Sequence, residues 1–142
     1  MALDLTAALP LLLPRAIANS GTALSPNGGL ALAQAVGVKH PDLIRVSLVD
    51  HIPLPDDPEL REATLEAGLV GPDTLGITFG YAIYVRSDHD AAGLLWHECR
   101  HVHQYEQAGS IADFLPVYLK QIVEFGYDSA PLEVDARAHE RD

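Results

Sequence analysis

The amino-acid sequence predicts an α+β domain, in which a small twisted sheet carrying residues 42–50 and 76–86 packs on a histidine-bearing helix and a C-terminal helix closes over it. Three observations carry that reading. Residues 76–86 alternate with the period of a strand. Residues 91–107 form a helical run that follows Asp88 and Asp90 and stops at Gly109 and Ser110. Pro131 then opens a last helical run close to the C-terminus.

In chain order, "MALDLTAALPLLLPRAIA" is apolar but has no basic start, carries Asp4 and is cut by Pro10 and Pro14. It reads as an N-terminal core helix, too short and too broken to span a bilayer. A cleavable leader ending at "AIANSG" is the alternative. "SPNGG" has turn chemistry, and "LALAQAVGV" is a short helix ending near Gly37. In residues 42–50, Leu43, Arg45, Ser47 and Val49 alternate with Ile44, Val46 and Leu48, as in a strand. "HIPLPDDPEL" is a proline-rich loop, and "PELREATLEAG" a short helix with Glu62 and Glu66 one turn apart. Asp56, Asp57 and Glu59 read as a solvated loop, or as an attractor for a basic peptide.

In "GITFGYAIYVR" the pattern puts Ile77, Phe79, Tyr81, Ile83 and Val85 on one face of a single strand. Asp88 or Asp90 can cap the helix from about Ala91 to Gln107, and a further helix from about Ile111 to Phe125 follows. Residues 126–131 form a turn, and "LEVDARAHER" forms the closing helix after Pro131.

At 142 residues and 48% hydrophobic, the chain has the size and apolar content of one domain, residues 1–142. Its 20 acidic against 9 basic residues give a net charge of −11, which argues against nucleic acid as a partner. Cys99 is the sole cysteine, so no internal disulfide forms, and with no spanning segment the expectation is a cytoplasmic protein without a membrane partner.

The chemistry concentrates in "LLWHECRHVHQYEQ". Histidines four apart on a helix lie about 40° apart around its axis, so His97 and His101 can present ring nitrogens to one ion. Glu98, beside the first, can take a proton from a water that the metal activates, the division of labour in zinc hydrolases of the H-E-x-x-H type. A solvated histidine-rich helix is the bland alternative. The metzincin pattern needs Gly at 104 and His at 107, where this chain has Gln104 and Gln107. A third ligand must therefore come from a later segment, and Asp128, Glu133, Asp135 and His139 are the options.

The pair "HECRH" and "EVDA" resembles the gluzincin zinc peptidases, in which H-E-x-x-H is followed by a helix carrying a ligand glutamate in an E-x-x-A context. The small minigluzincins and the core of the CAAX prenyl peptidases are similar in this respect. The resemblance covers about residues 76–140 and implies a zincin-like fold, Zn2+ held by His97, His101 and Glu133, and Glu98 as the catalytic base. CAAX-type peptidases place an aspartate one turn after the glutamate to orient a ligand histidine. This chain has Arg137 there, so Asp135, Asp128 or a backbone carbonyl is expected to serve instead.

Tyr127, in the turn before the closing helix, can donate a hydrogen bond to a developing oxyanion or simply pack. His103 and His139 are expected to be solvated, Cys99 to be a small buried residue, and Trp96 and Val102 to pack on a neighbouring helix. The functional expectation is a zinc-dependent metallopeptidase acting on a peptide or protein substrate. An extended substrate would add beside residues 76–86, where Gly76 and Gly80 permit close approach. The alternative is a catalytically silent metal-binding or regulatory module with a zincin fold. So short a chain has little left for a deep specificity subsite, which a partner subunit or a second copy of the chain would supply.

Overall fold

The computed structural model describes residues 22–23, 29–50, 58, 62, 75–86 and 91–140. The expected N-terminal helix, the caps at Asp88 or Asp90 and the acidic cluster at Asp56, Asp57 and Glu59 lie outside the described residues. So does the helix over 58–68, apart from Pro58 and Glu62, which are helical.

A mixed sheet organises the rest. Strand β1 (Thr22–Ala23) runs antiparallel to β2 (Arg45–Val49), β2 runs parallel to β4 (Ala82–Arg86), and β4 runs antiparallel to β3 (Gly76–Phe79), giving the order β1-β2-β4-β3. Among the described residues, the helices described over their whole length are α1 (Gly29–Ala35), α2 (Ala91–Ala108), α3 (Ile111–Phe125) and α4 (Pro131–Ala138). Among the described residues no helix is long and apolar enough to cross a membrane.

Two expectations need correction. Residues 42–43 belong to a 3-10 turn over Pro41–Leu43, in which the Ile44 amide donates to the Pro41 carbonyl, so the strand begins only at Arg45. Residues 76–86 are a hairpin rather than one strand. Gly80, at φ +61°, takes the first central position of a two-residue turn, a backbone state that glycine reaches without steric cost. Phe79 then pairs with Ala82, Thr78 with Ile83, and Ile77 with Tyr84. A two-residue turn reverses which parity faces the core, so Ile83 and Val85 share a face with Thr78 and Gly76, not with Ile77 and Phe79.

That shared face packs on α2. Ile83 and Val85 join Cys99 and Val102 of α2 with Ala33 and Val36 in one buried cluster, against which Trp96 also packs. Cys99 and Val102 thus take the packing roles expected of them. A second cluster joins Tyr105 to Phe114, Leu115, Tyr118 and Ile122 of α3. The two clusters cover adjoining faces of helix α2, Tyr105 standing about 60° round the axis from Val102, which fixes the rotation of the helix about its own axis and the direction of its polar side chains.

The helix ends place the last element. The Gly109 amide closes α2 on the Tyr105 carbonyl at 3.0 Å, and the Ser110 hydroxyl caps α3 by accepting from the Asp113 amide at 3.1 Å. Pro131 starts α4, where its missing amide costs nothing, and the Leu132 amide donates to Gln121 Oε1 of α3 at 2.9 Å. Ala136, fully buried, has no side chain beyond Cβ to hold α4 away from α2.

Candidate metal centre

Burial and rotation of α2 bring His97 and His101 to one spot, and α4 delivers Glu133 to meet them. All three are buried, and one ligand atom from each lies within 4.8 Å of the others. His97 Nε2 is 3.1 Å from Glu133 Oε1, His101 Nε2 is 3.1 Å from Glu133 Oε2, and the two Nε2 atoms are 3.2 Å apart. Donors placed tetrahedrally around zinc at 2.0–2.1 Å stand about 3.3 Å from one another, so the spacing suits a metal of that size.

The other ring nitrogens decide the tautomers. His97 Nδ1 lies 3.1 Å from Glu140 Oε1, and His101 Nδ1 lies 2.8 Å from Gln104 Oε1. The Gln104 amide nitrogen donates to the Leu132 carbonyl at 3.0 Å and to Asp135 Oδ2 at 2.9 Å, which leaves its oxygen for the histidine. Both acceptors call for a proton on Nδ1, so both Nε2 lone pairs point at each other and at a carboxylate. Such a convergence of electron pairs needs positive charge at its centre. Without a metal, protons must supply it: burial alone lowers the His101 pKa, but Glu133 and the Glu98 charge hold it up at about 9. Burial likewise raises Glu133, yet its contacts with His101 and His97 hold it far below the usual carboxylate range. The His97, His101 and Glu133 group can hold a metal ion.

The other expected ligands go elsewhere. Asp128 is exposed, and its carbonyl accepts from Arg137. Asp135 pairs with Arg100, whose Nε donates to Oδ2 at 2.8 Å. His139 is half-buried rather than solvated, with Nδ1 2.8 Å from the Asp135 carbonyl. His103 also has a partner, the Gly37 carbonyl at 3.0 Å. The acceptors behind the histidines are Glu140 and Gln104, not Asp135, Asp128 or a backbone carbonyl. Asp135 acts on His101 only through Gln104.

Glu98 is buried next to the triad. Thr78 Oγ1, on β3, lies 2.7 Å from its Oε1. Gly76 sits against the other oxygen: a Cβ there would stand 3.1 Å from Glu98 Oε2. Burial raises the Glu98 pKa, and the two histidines and Thr78 offset only part of that. A carboxylate pushed up toward neutrality is suited to accepting and returning a proton.

An open cleft runs between β3, α2 and α3. Glu98, His101 and Glu133 line one wall, and Phe79, Phe114 and Leu115 form much of the rest. Tyr127 borders it and is 41% exposed, so it is not simply a core tyrosine. Burial, then the charges of Glu133 and Glu98, push its hydroxyl well above the usual range.

Thr78, Gln104, Tyr118 and Glu140 were not among the residues expected at the site. Glu140 alone carried a signal: seven residues after Glu133, it would share its face if the helix ran on, although α4 ends at Ala138. Comparison with family models, curated proteins and solved structures returns no match for the chain. The site's chemistry therefore stands on the residues that form it.

Proposed function

We propose that the protein is a zinc-dependent metallopeptidase in which His97, His101 and Glu133 hold the ion and Glu98 is the general base. The observation that carries the reading is the buried convergence of two imidazole lone pairs and a carboxylate, with a second buried carboxylate beside it in an open cleft. Zinc bound there supplies Lewis acidity toward a water molecule and toward the scissile carbonyl.

The chain's own groups supply the remainder. Thr78 fixes one oxygen of Glu98, so Oε2 is the atom that takes the proton, holds it and returns it to the leaving amine. Tyr127 stands at the mouth with its hydroxyl protonated, suited to donate to the oxyanion. The Arg86 amide donates to the Leu75 carbonyl, so by antiparallel alternation the main-chain groups of Gly76 and Thr78 point away from β4. Tyr105 donates to the Thr78 carbonyl at 3.0 Å, which leaves Gly76 beside Glu98 for an extended peptide to pair with. Arg137 does not leave His97 without an acceptor, because Glu140 serves.

Metal analysis of untagged protein tests the first half of the proposal: one zinc per chain is expected, and none would overturn it. Cleavage of a peptide library with and without chelator tests the second. Glu98→Gln should keep its zinc and lose turnover. A wild-type protein with stoichiometric zinc that cleaves no peptide would be a metal-binding module and not an enzyme.

A further inference from the structure

We propose that Tyr118 is a positioning residue for the metal, its hydroxyl holding Oε2 of Glu133 so that Oε1 is the oxygen that binds the ion. The inference rests on the metal-site reading above. Each oxygen of Glu133 lies 3.1 Å from one imidazole Nε2, and the Tyr127 hydroxyl also acts on this carboxylate, but Tyr118 makes the short bond to one oxygen alone. Its hydroxyl donates to Oε2 at 2.7 Å, a short charge-assisted bond inside a buried site.

The ring that carries the hydroxyl is itself held. It stacks on Phe114 with centroids 5.6 Å apart and meets the edge of His101 at 6.3 Å and 89°. Helix α3 therefore presents the donor from a fixed direction. A carboxylate with such a donor on one oxygen is disfavoured from chelating an ion through both, and it cannot swing out of the triad. Groups that hydrogen-bond metal ligands in this way commonly carry 10–100-fold of the metal affinity, roughly.

Tyr118→Phe removes one oxygen and keeps the ring, so its packing on Phe114 and His101 survives. Zinc affinity is measured by chelator competition on wild type, Tyr118→Phe and Tyr127→Phe, with circular dichroism of each metal-free protein as the folding control. Tyr118→Phe should bind zinc roughly 10-fold or more weakly. Its cobalt-substituted form should show a shifted visible band, as expected when the carboxylate changes its mode of binding. Tyr127→Phe should lose less. Wild-type affinity and band in Tyr118→Phe would overturn the proposal, as would an equal or larger loss in Tyr127→Phe. X-ray absorption on zinc-loaded wild type gives a check that needs no variant: one bound carboxylate oxygen is expected, and two would overturn the assignment. If wild type takes up neither zinc nor cobalt, the metal-site reading itself falls, a different outcome from normal uptake with an indifferent Tyr118→Phe.

Discussion

Replacing Thr78 by valine removes one hydroxyl and little else. Valine is nearly isosteric and favours strands, so β3 and its pairing with β4 should survive. The lost contact is the 2.7 Å bond to Glu98 Oε1, between a donor 7% exposed and an acceptor 4% exposed. The same hydroxyl lies 3.2 Å from the Glu98 carbonyl, but its single proton serves the shorter, charge-assisted contact. A hydrogen bond to a charged group contributes about 1.5–3 kcal/mol, and water cannot easily replace it in so buried a place. In a domain of this size each kcal/mol shifts Tm by about 3 °C, so Thr78→Val should lower it by roughly 6 °C. Thr78→Ser keeps the hydroxyl and removes one methyl, a loss of about 0.8 kcal/mol. Thermal unfolding of the three proteins with chelator present should therefore rank wild type above serine and serine above valine. If valine matches or exceeds serine, the hydroxyl does not support Glu98.

Further measurements probe neighbouring contacts. Glu133→Ala should lose stoichiometric zinc, while Asp128→Ala and His139→Ala keep it; the opposite pattern by metal analysis would reassign the third ligand. Gly76→Ala places a Cβ 3.1 Å from Glu98 Oε2 and 3.3 Å from the Tyr84 carbonyl, so the carboxylate must move by a few tenths of an ångström. Zinc content should hold while kcat falls by roughly 10-fold, since a 1 Å misplacement costs about 100-fold. Burial raises Glu106, but the Lys39 and His40 amides and the Tyr81 hydroxyl bring it below its usual value. A depressed carboxylate contributes stability above its unfolded pKa, about 4.3, and loses it as pH falls through the folded value. Glu106→Gln should therefore be less stable than wild type at pH 6 and converge with it in acid; parallel stability curves would exclude the linkage.

The C-terminal half was legible because its punctuation is local. Gly109, Ser110, Gly126 and Pro131 each fix a helix end through chemistry confined to a few residues; α2 and α3 fall within a residue of their expected bounds, and α4 starts within one but ends at Ala138, short of the expected Arg141. His97 and His101 were legible because one turn of helix sets their relation, and Glu133 because its motif resembles that of a known ligand. The hairpin was misread because a two-residue turn preserves strict alternation along the sequence while exchanging the faces in space. Thr78, Tyr118 and Gln104 escaped notice because their roles depend on which elements meet. A threonine in a strand and a tyrosine in an amphipathic helix look like packing until α2 and α4 are set beside them. Glu140 was hidden because Arg137 occupies the position one turn after Glu133, while the acceptor for His97 comes from the chain just past the end of α4.

The converging lone pairs also bear on how long the protein lasts. Any cation that binds the folded chain and not the unfolded one stabilises it by mass action, by about 2.7 kcal/mol at 100 times its dissociation constant. Against the roughly 5–15 kcal/mol that separates most folded domains from their unfolded ensembles, that is a large share. If the triad holds an ion, losing it would leave two histidines and a carboxylate crowded together, and the shortfall would appear as a greater unfolded population and faster proteolysis. The abundance of the protein should then follow the supply of free metal around it, rising and falling with that supply even when its synthesis is constant.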